Sequence, residues 1–169
     1  MMLYHGSNVE IDRVDLNKCR PYKDFGRGFY LTTMKGQAFQ MAKRVSRIYG
    51  GLPCVTCFEF DENAFDDDDI HVRTFDHAMK EWALFVINNR NRNLVITDDT
   101  EHNQDNRYDI VIGCVANDDL ALLFRQFSSG LIGAATLVKE MEYKKLTDQY
   151  SFHSEKALYY LKRIGCLYE

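Results

Sequence analysis

Strand-like and helix-like segments follow one another along this chain without the regular alternation of a doubly wound fold, and that irregular order limits its architecture more than any other feature. Short strands are predicted at residues 2–5, 28–32 and 53–60, with a long, mostly irregular connection over 9–25. Residues 108–115 are apolar at nearly every position, as in a strand buried on both faces. Residues 149–153 alternate, with Tyr150 and Phe152 on one face and Gln149, Ser151 and His153 on the other. A helix is predicted at 36–49, with Ala38, Met41, Ala42 and Val45 on one side. Another is predicted at 75–89, where Phe75, Ala78, Met79, Trp82, Phe85 and Val86 build a broad stripe suited to core packing. Further helices are expected at 120–127 behind an Asn117-Asp118-Asp119 cap, at 132–146, and at 155–164 capped by Ser154, with a last short strand at 166–168. The set describes a mixed α+β domain.

The length, 169 residues, fits one domain over 1–169, and neither a repeat nor a Pro/Ser/Gly-rich linker interrupts it. Apolar residues at 46% and charged residues at 27% exclude a disordered chain. A domain of this size buries roughly 70% of its unfolded surface, so it folds without metal or disulfide. A net charge of -4 argues against a basic nucleic-acid-binding surface, and Lys43, Arg44 and Arg47 read as a solvated helix face. The five cysteines are odd in number and irregular in spacing, unlike a disulfide framework. Cys54 and Cys57 have CxxC spacing but lie in a strand with no second pair, and read as buried free thiols. The acidic run 66–69 lacks the alternate spacing of a calcium loop and reads as a solvated turn, so no metal is expected. The N-terminus lacks the layout of a signal peptide, and no segment approaches the ~20 apolar residues of a membrane span. The expected compartment is therefore the cytoplasm.

Three segments put polar residues where a strand should be apolar. In Leu3-Tyr4-His5-Gly6-Ser7 a histidine ends a strand, and the glycine after it permits close backbone approach. Its imidazole offers a donor and an acceptor to a ribose hydroxyl, although a histidine at a strand end is commonly structural. In Asp24-Phe25-Gly26-Arg27-Gly28-Phe29-Tyr30 two glycines lead into a strand whose tyrosine can stack on a flat heteroaromatic ring or simply join the core. In Asp148-Gln149-Tyr150-Ser151-Phe152-His153 a side-chain amide sits on a strand directly before a helix. Segments this far apart serve one purpose only if their strands meet and form one cleft.

Together the three resemble the poly(ADP-ribose)-polymerase-like, His-Tyr-Glu branch of the ADP-ribosyltransferases. The His motif matches at His5 within YHGS, the Tyr motif at Tyr30 within GRGFY, and the Glu-bearing strand aligns to Gln149 within DQYSFHSEKAL. The stretches DFGRGFYLT, EWALFVINNR, YDIVIGCVANDD and QYSFHSEKAL bring the chain closer still to the bacterial domain-of-unknown-function family 3990. The resemblance implies a split β core of two small packed sheets with flanking helices, and NAD as substrate. It implies that His5 holds a ribose hydroxyl, that Gly6 bonds the nicotinamide amide through its backbone beside Ser7, and that Tyr30 stacks on the nicotinamide ring after Gly28. Arg20, Lys23 or Arg27 is available to the phosphates.

The departure is at Gln149. The family's glutamate helps stabilise the oxocarbenium-like cation formed as nicotinamide leaves, whereas an amide carries no charge and takes no proton. Ser151 stands two residues on, Asp148 faces away and Glu155 begins the next helix, so none of them replaces it. The helix after Tyr30 lacks the second ring that many relatives supply, with Phe39 and Met41 the nearest candidates. The expectation is an NAD-dependent mono-ADP-ribosyltransferase with a His-Tyr-Gln site. The alternative is an inactive NAD- or ADP-ribose-binding module on the same fold. Compact bacterial domains of this kind suggest a toxin or effector, hence a protein or nucleic-acid acceptor and an antitoxin partner.

Overall fold

The computed structural model describes residues 1–97, 99–116, 118–142 and 147–168. Among these, seven strands form two sheets. One sheet is antiparallel and contains β1 (Met2–Ser7), β3 (Cys54–Phe60) and β7 (Leu161–Tyr168), with β3 in the middle. The other runs in the order β2 (Phe29–Leu31), β6 (Asp148–Phe152), β5 (Ile110–Cys114), β4 (Val72–Thr74), and only its β4–β5 pair is parallel. The helices are α1 (Lys35–Tyr49), α2 (Lys80–Arg90), α3 (Asp118–Ser128), α4 (Ala134–Glu142) and the single turn α5 (Glu155–Leu158). The protein is an α+β domain with two small sheets and flanking helices.

The sheets pack face to face. Leu3, Phe58 and Phe60 of the first sheet meet Phe29, Leu31, Ile110 and Phe152 of the second in a core between them. The strands' two-residue period sends the intervening side chains outward. Val55 and Cys57 pack under α1 with Ala38 and Ala42. Val111 and Cys114 pack under α2, α3 and α4, around Trp82, Phe85, Leu120, Phe124 and Leu137. Four layers result, and β5 and β6 are covered on both faces, as the apolar run at 108–115 requires.

α1 lies so close to β1 that a Cβ at Gly6 would stand 1.9 Å from the Ala38 carbonyl oxygen. Ala38 and Ala42 are the buried residues of that helix, with Phe39 packed beside them. Met41, expected in that row with Ala38 and Ala42, is exposed instead.

Two further expectations are corrected. The helix expected at 75–89 begins at Lys80. Phe75 extends β4, donating its N–H to the Ile112 carbonyl, and enters the helical core from a strand end. That shared destination is why it falls into the stripe. The helix expected at 155–164 stops after one turn, and the chain returns as β7, paired along the whole of β3. Without β7 the outer edge of β3 would hold unpaired backbone groups. The β-branched Ile164 also favours a strand, and Gly165 disfavours a helix interior. Asn117 of the expected cap and residues 143–146 of the expected helix lie outside the described residues.

Candidate functional site

Among the described residues, the two sheets touch edge to edge at one place. Tyr4 and Thr32 form an isolated antiparallel bridge, with N–H···O distances of 2.9 and 3.0 Å. His5 follows directly. Its Nδ1 lies 2.8 Å from the Tyr30 carbonyl oxygen, so that nitrogen carries the proton and donates it. The ring rests on Phe29 at 4.5 Å between centroids. Burial pushes the His5 pKa down, against the opposing effect of the bond to Tyr30. Gly6 and Ser7 continue β1 opposite Val55 and Cys54, and Gly6 serves the close approach of α1 described above.

Tyr30 lies on the other face of β2. It pairs with Ser151 on β6, and its ring joins the helix-side core. Its hydroxyl donates to the Gly26 carbonyl at 2.8 Å and accepts the Phe25 N–H at 3.0 Å. Burial raises its pKa well above the usual phenol range, with the Asp24 carboxylate adding to the effect. Phe25 is fully buried and stands nearly parallel to the Tyr30 ring at 6.4 Å between centroids. The segment Asp24–Phe25–Gly26–Arg27 thus runs across the face that carries Tyr30, Gln149, Ser151 and His153.

Gln149 sits at one end of that face, opposite Gly113 on β5 and 9% exposed. Its Nε2 is 3.3 Å from Asp24 Oδ2 and 3.3 Å from the Cys114 carbonyl oxygen. Asp24 is held from three sides. Arg90 of α2 donates to Oδ1 through Nε at 3.0 Å and Nη2 at 2.7 Å, and the Ala116 N–H donates to Oδ2 at 3.1 Å. Arg90 also reaches the Ala116 carbonyl at 3.2 Å.

His153 sits at the other end. Its Nδ1 is 2.7 Å from the Arg27 carbonyl oxygen, and its Nε2 is 2.8 Å from the Ser151 hydroxyl. A carbonyl only accepts, so Nδ1 bears the proton, and the single Ser151 hydroxyl proton is shared between Nε2 and the Val111 carbonyl oxygen 3.0 Å away. Burial lowers the pKa to about 4. Gly28 makes room for the ring, since a Cβ there would lie 2.5 Å from His153 Nδ1. Beside it opens a cavity of about 360 Å³ lined by Leu16, Asn17, Arg27, Asn106, Ser154 and Glu155.

The structure separates the three bases left open as phosphate ligands. Arg20 donates to the Tyr49 hydroxyl at 3.0 Å and lies over that ring, and Lys23 is exposed on the surface. Arg27 faces the cavity, and no described carboxylate pairs with it. Strands β1, β2 and β6 do come together. Tyr30 and Gln149 share one face of the second sheet. The His5 ring lies on the Phe29 face and is joined to Tyr30 through the backbone. Sequence reasoning gave no role to Asp24, Arg90 or His153. The partners of Asp24 lie 66 and 125 residues away, and no local pattern marks them.

Among the described residues no cluster of His, Cys, Asp or Glu is placed to hold a metal, and no helix is long and apolar enough to cross a membrane. No curated protein and no solved structure matches the chain. A family model does match, over residues 1–163, that of the "Protein of unknown function (DUF3990)" family, and the chain belongs to that family.

Proposed function

We propose that the protein is an NAD-dependent mono-ADP-ribosyltransferase of the poly(ADP-ribose)-polymerase-like type, with His5, Tyr30 and Gln149 at the positions of that family's His, Tyr and Glu. The observation that supports this reading is the seam between β1 and β2. The bridge at Tyr4–Thr32 brings His5 Nδ1 to the Tyr30 carbonyl, and β6, from the far end of the chain, carries Gln149 on the same face of the second sheet as the Tyr30 ring. In the proposed reaction the bond from the ribose to nicotinamide breaks, nicotinamide leaves with the electron pair, and a nucleophile of the acceptor bonds to the ribose carbon. His5 and Gln149 would hold ribose hydroxyls, and Tyr30 would hold the ring. Without a carboxylate at 149, growth of a polymer is not expected. A protein or nucleic-acid acceptor, as for a toxin or effector with an antitoxin, belongs to the same proposal.

One observation favours the second reading, a binding module without turnover. Phe25 lies against the Tyr30 ring, and Gln149 is nearly enclosed. The test is incubation with NAD labelled on the adenosine, following free nicotinamide and label transfer together. Release with transfer is expected of the enzyme. A thermal shift with NAD or ADP-ribose on chelator-treated protein, without release, would establish the binding module. Neither shift nor release at millimolar ligand would overturn both.

A further inference from the structure

We propose that Asp24 is a positioning residue for Gln149, fixing the side-chain amide so that its nitrogen points into the protein and its oxygen is left to accept from the substrate. The proposal rests on the transferase reading. A carboxylate presents the same acceptor whichever oxygen faces outward. An amide does not, because rotating it by half a turn exchanges an acceptor for a donor. A glutamine can therefore take over the hydrogen-bonding part of a glutamate's task only if something chooses its orientation.

Here two groups make that choice. The Asp24 carboxylate and the Cys114 carbonyl, each 3.3 Å from Nε2, are acceptors, so only the nitrogen end can face them. Gln149 Oε1 accepts nothing among the described residues. Asp24 cannot turn aside, because Arg90 holds Oδ1 and the Ala116 N–H holds Oδ2. The next residue, Phe25, is anchored in the core with its ring tip against Gly113, where a Cβ would stand 3.1 Å from Phe25 Cζ. Arg90 offsets the charge of Asp24. Asp24 therefore acts through the amide and not as a free carboxylate facing the substrate.

The arrangement also reverses a simple expectation. Gln149→Glu restores the relatives' residue, but it sets a carboxylate against Asp24 and a carbonyl with no proton between them. It should not exceed wild type. The exchange Asp24→Asn with Gln149→Glu should do better than Gln149→Glu alone, since it removes the repulsion between two carboxylates. The Cys114 carbonyl still lacks a donor there, and the new amide at 24 meets the Ala116 N–H or Arg90.

The experiment measures nicotinamide release and thermal unfolding for the full chain, for Asp24→Asn, for Gln149→Glu and for the double exchange. Asp24→Asn is expected to lower kcat on the order of tenfold to a hundredfold with KM changed less than about threefold, as for loss of one oriented polar group. The double exchange is expected to release nicotinamide faster than Gln149→Glu alone. A folded Asp24→Asn protein with wild-type kcat overturns the proposal alone. If Asp24→Asn does not fold, a folded double exchange no faster than Gln149→Glu overturns it. No release from wild type overturns the transferase reading, and this proposal with it.

Discussion

At the scale of single residues, His153 carries the clearest physical consequence. Its ring is enclosed by Tyr30, Gly28, Ser151 and the Arg27 carbonyl, and its pKa falls from 6.5 to about 4 through burial. The unfolded chain therefore takes up a proton between pH 6.5 and about 4 that the folded protein refuses. Stability is full above pH 6.5, falls as the pH drops through that window, and loses nothing more from this group below about 4. The loss is about 3 kcal/mol. Burial of His5 and His102 acts in the same direction. Urea unfolding followed across this window should show the decline, and the His153 imidazole proton signals should titrate near pH 4. An imidazole titrating near 6.5 would mean that the ring is not enclosed as described. None of this was visible in the order of residues. Histidine on a strand reads equally as ligand or as structure. Burial decides between these, and burial depends on Gly28 and Arg27, more than a hundred positions away.

At the scale of elements, the contact of α1 with β1 is set by Gly6. A Cβ at that position meets backbone atoms of Ala38 and Ala42, which cannot rotate away, so Gly6→Ala must push the helix off the sheet. A cost of about 1–3 kcal/mol is expected, or about 3–10 °C in Tm. Gly36, in the same helix, faces open space where an added methyl group would stand, with nothing within 4 Å, so Gly36→Ala should leave Tm unchanged or raise it slightly. Thermal unfolding of the two variants side by side checks the packing. Equal behaviour would contradict it. Elements with a plain period were legible in the sequence. β5 stood out by its unbroken apolar run, and β6 by its alternation. β4 was missed, and the Phe75 that continues it was drawn into the stripe of α2, because an apolar residue entering the core from a strand end looks like one more position of a helix. β7 was largely missed because its reason for being a strand is the open edge of β3, which sequence does not display. The polar network of Asp24, Arg90 and Gln149 was illegible for the same kind of reason, since its members meet only after three elements have packed.

At the scale of the whole molecule, the strands of one sheet enclose those of the other in the chain. The first sheet takes residues from both ends of the described chain, and every strand of the second lies between β1 and β7. Neither sheet can therefore be built from one contiguous half, and the protein should unfold in a single step. The lone tryptophan, Trp82, reports the helical layer, while far-ultraviolet circular dichroism reports both sheets and the helices. The two curves should superimpose in urea, and separate midpoints would show that the layers unfold independently. The place of β7 also matters during synthesis. β1 and β3 are made early, but the outer edge of β3 has no partner until Leu161–Tyr168 has been translated. At ~5–20 residues per second the ribosome needs on the order of 5–20 s for the intervening stretch. Throughout that interval the nascent chain displays an apolar strand with an open edge, the kind of surface that recruits other growing chains. Yield in the cell should therefore depend on how quickly translation reaches β7 and on which holding chaperone reaches β3 first.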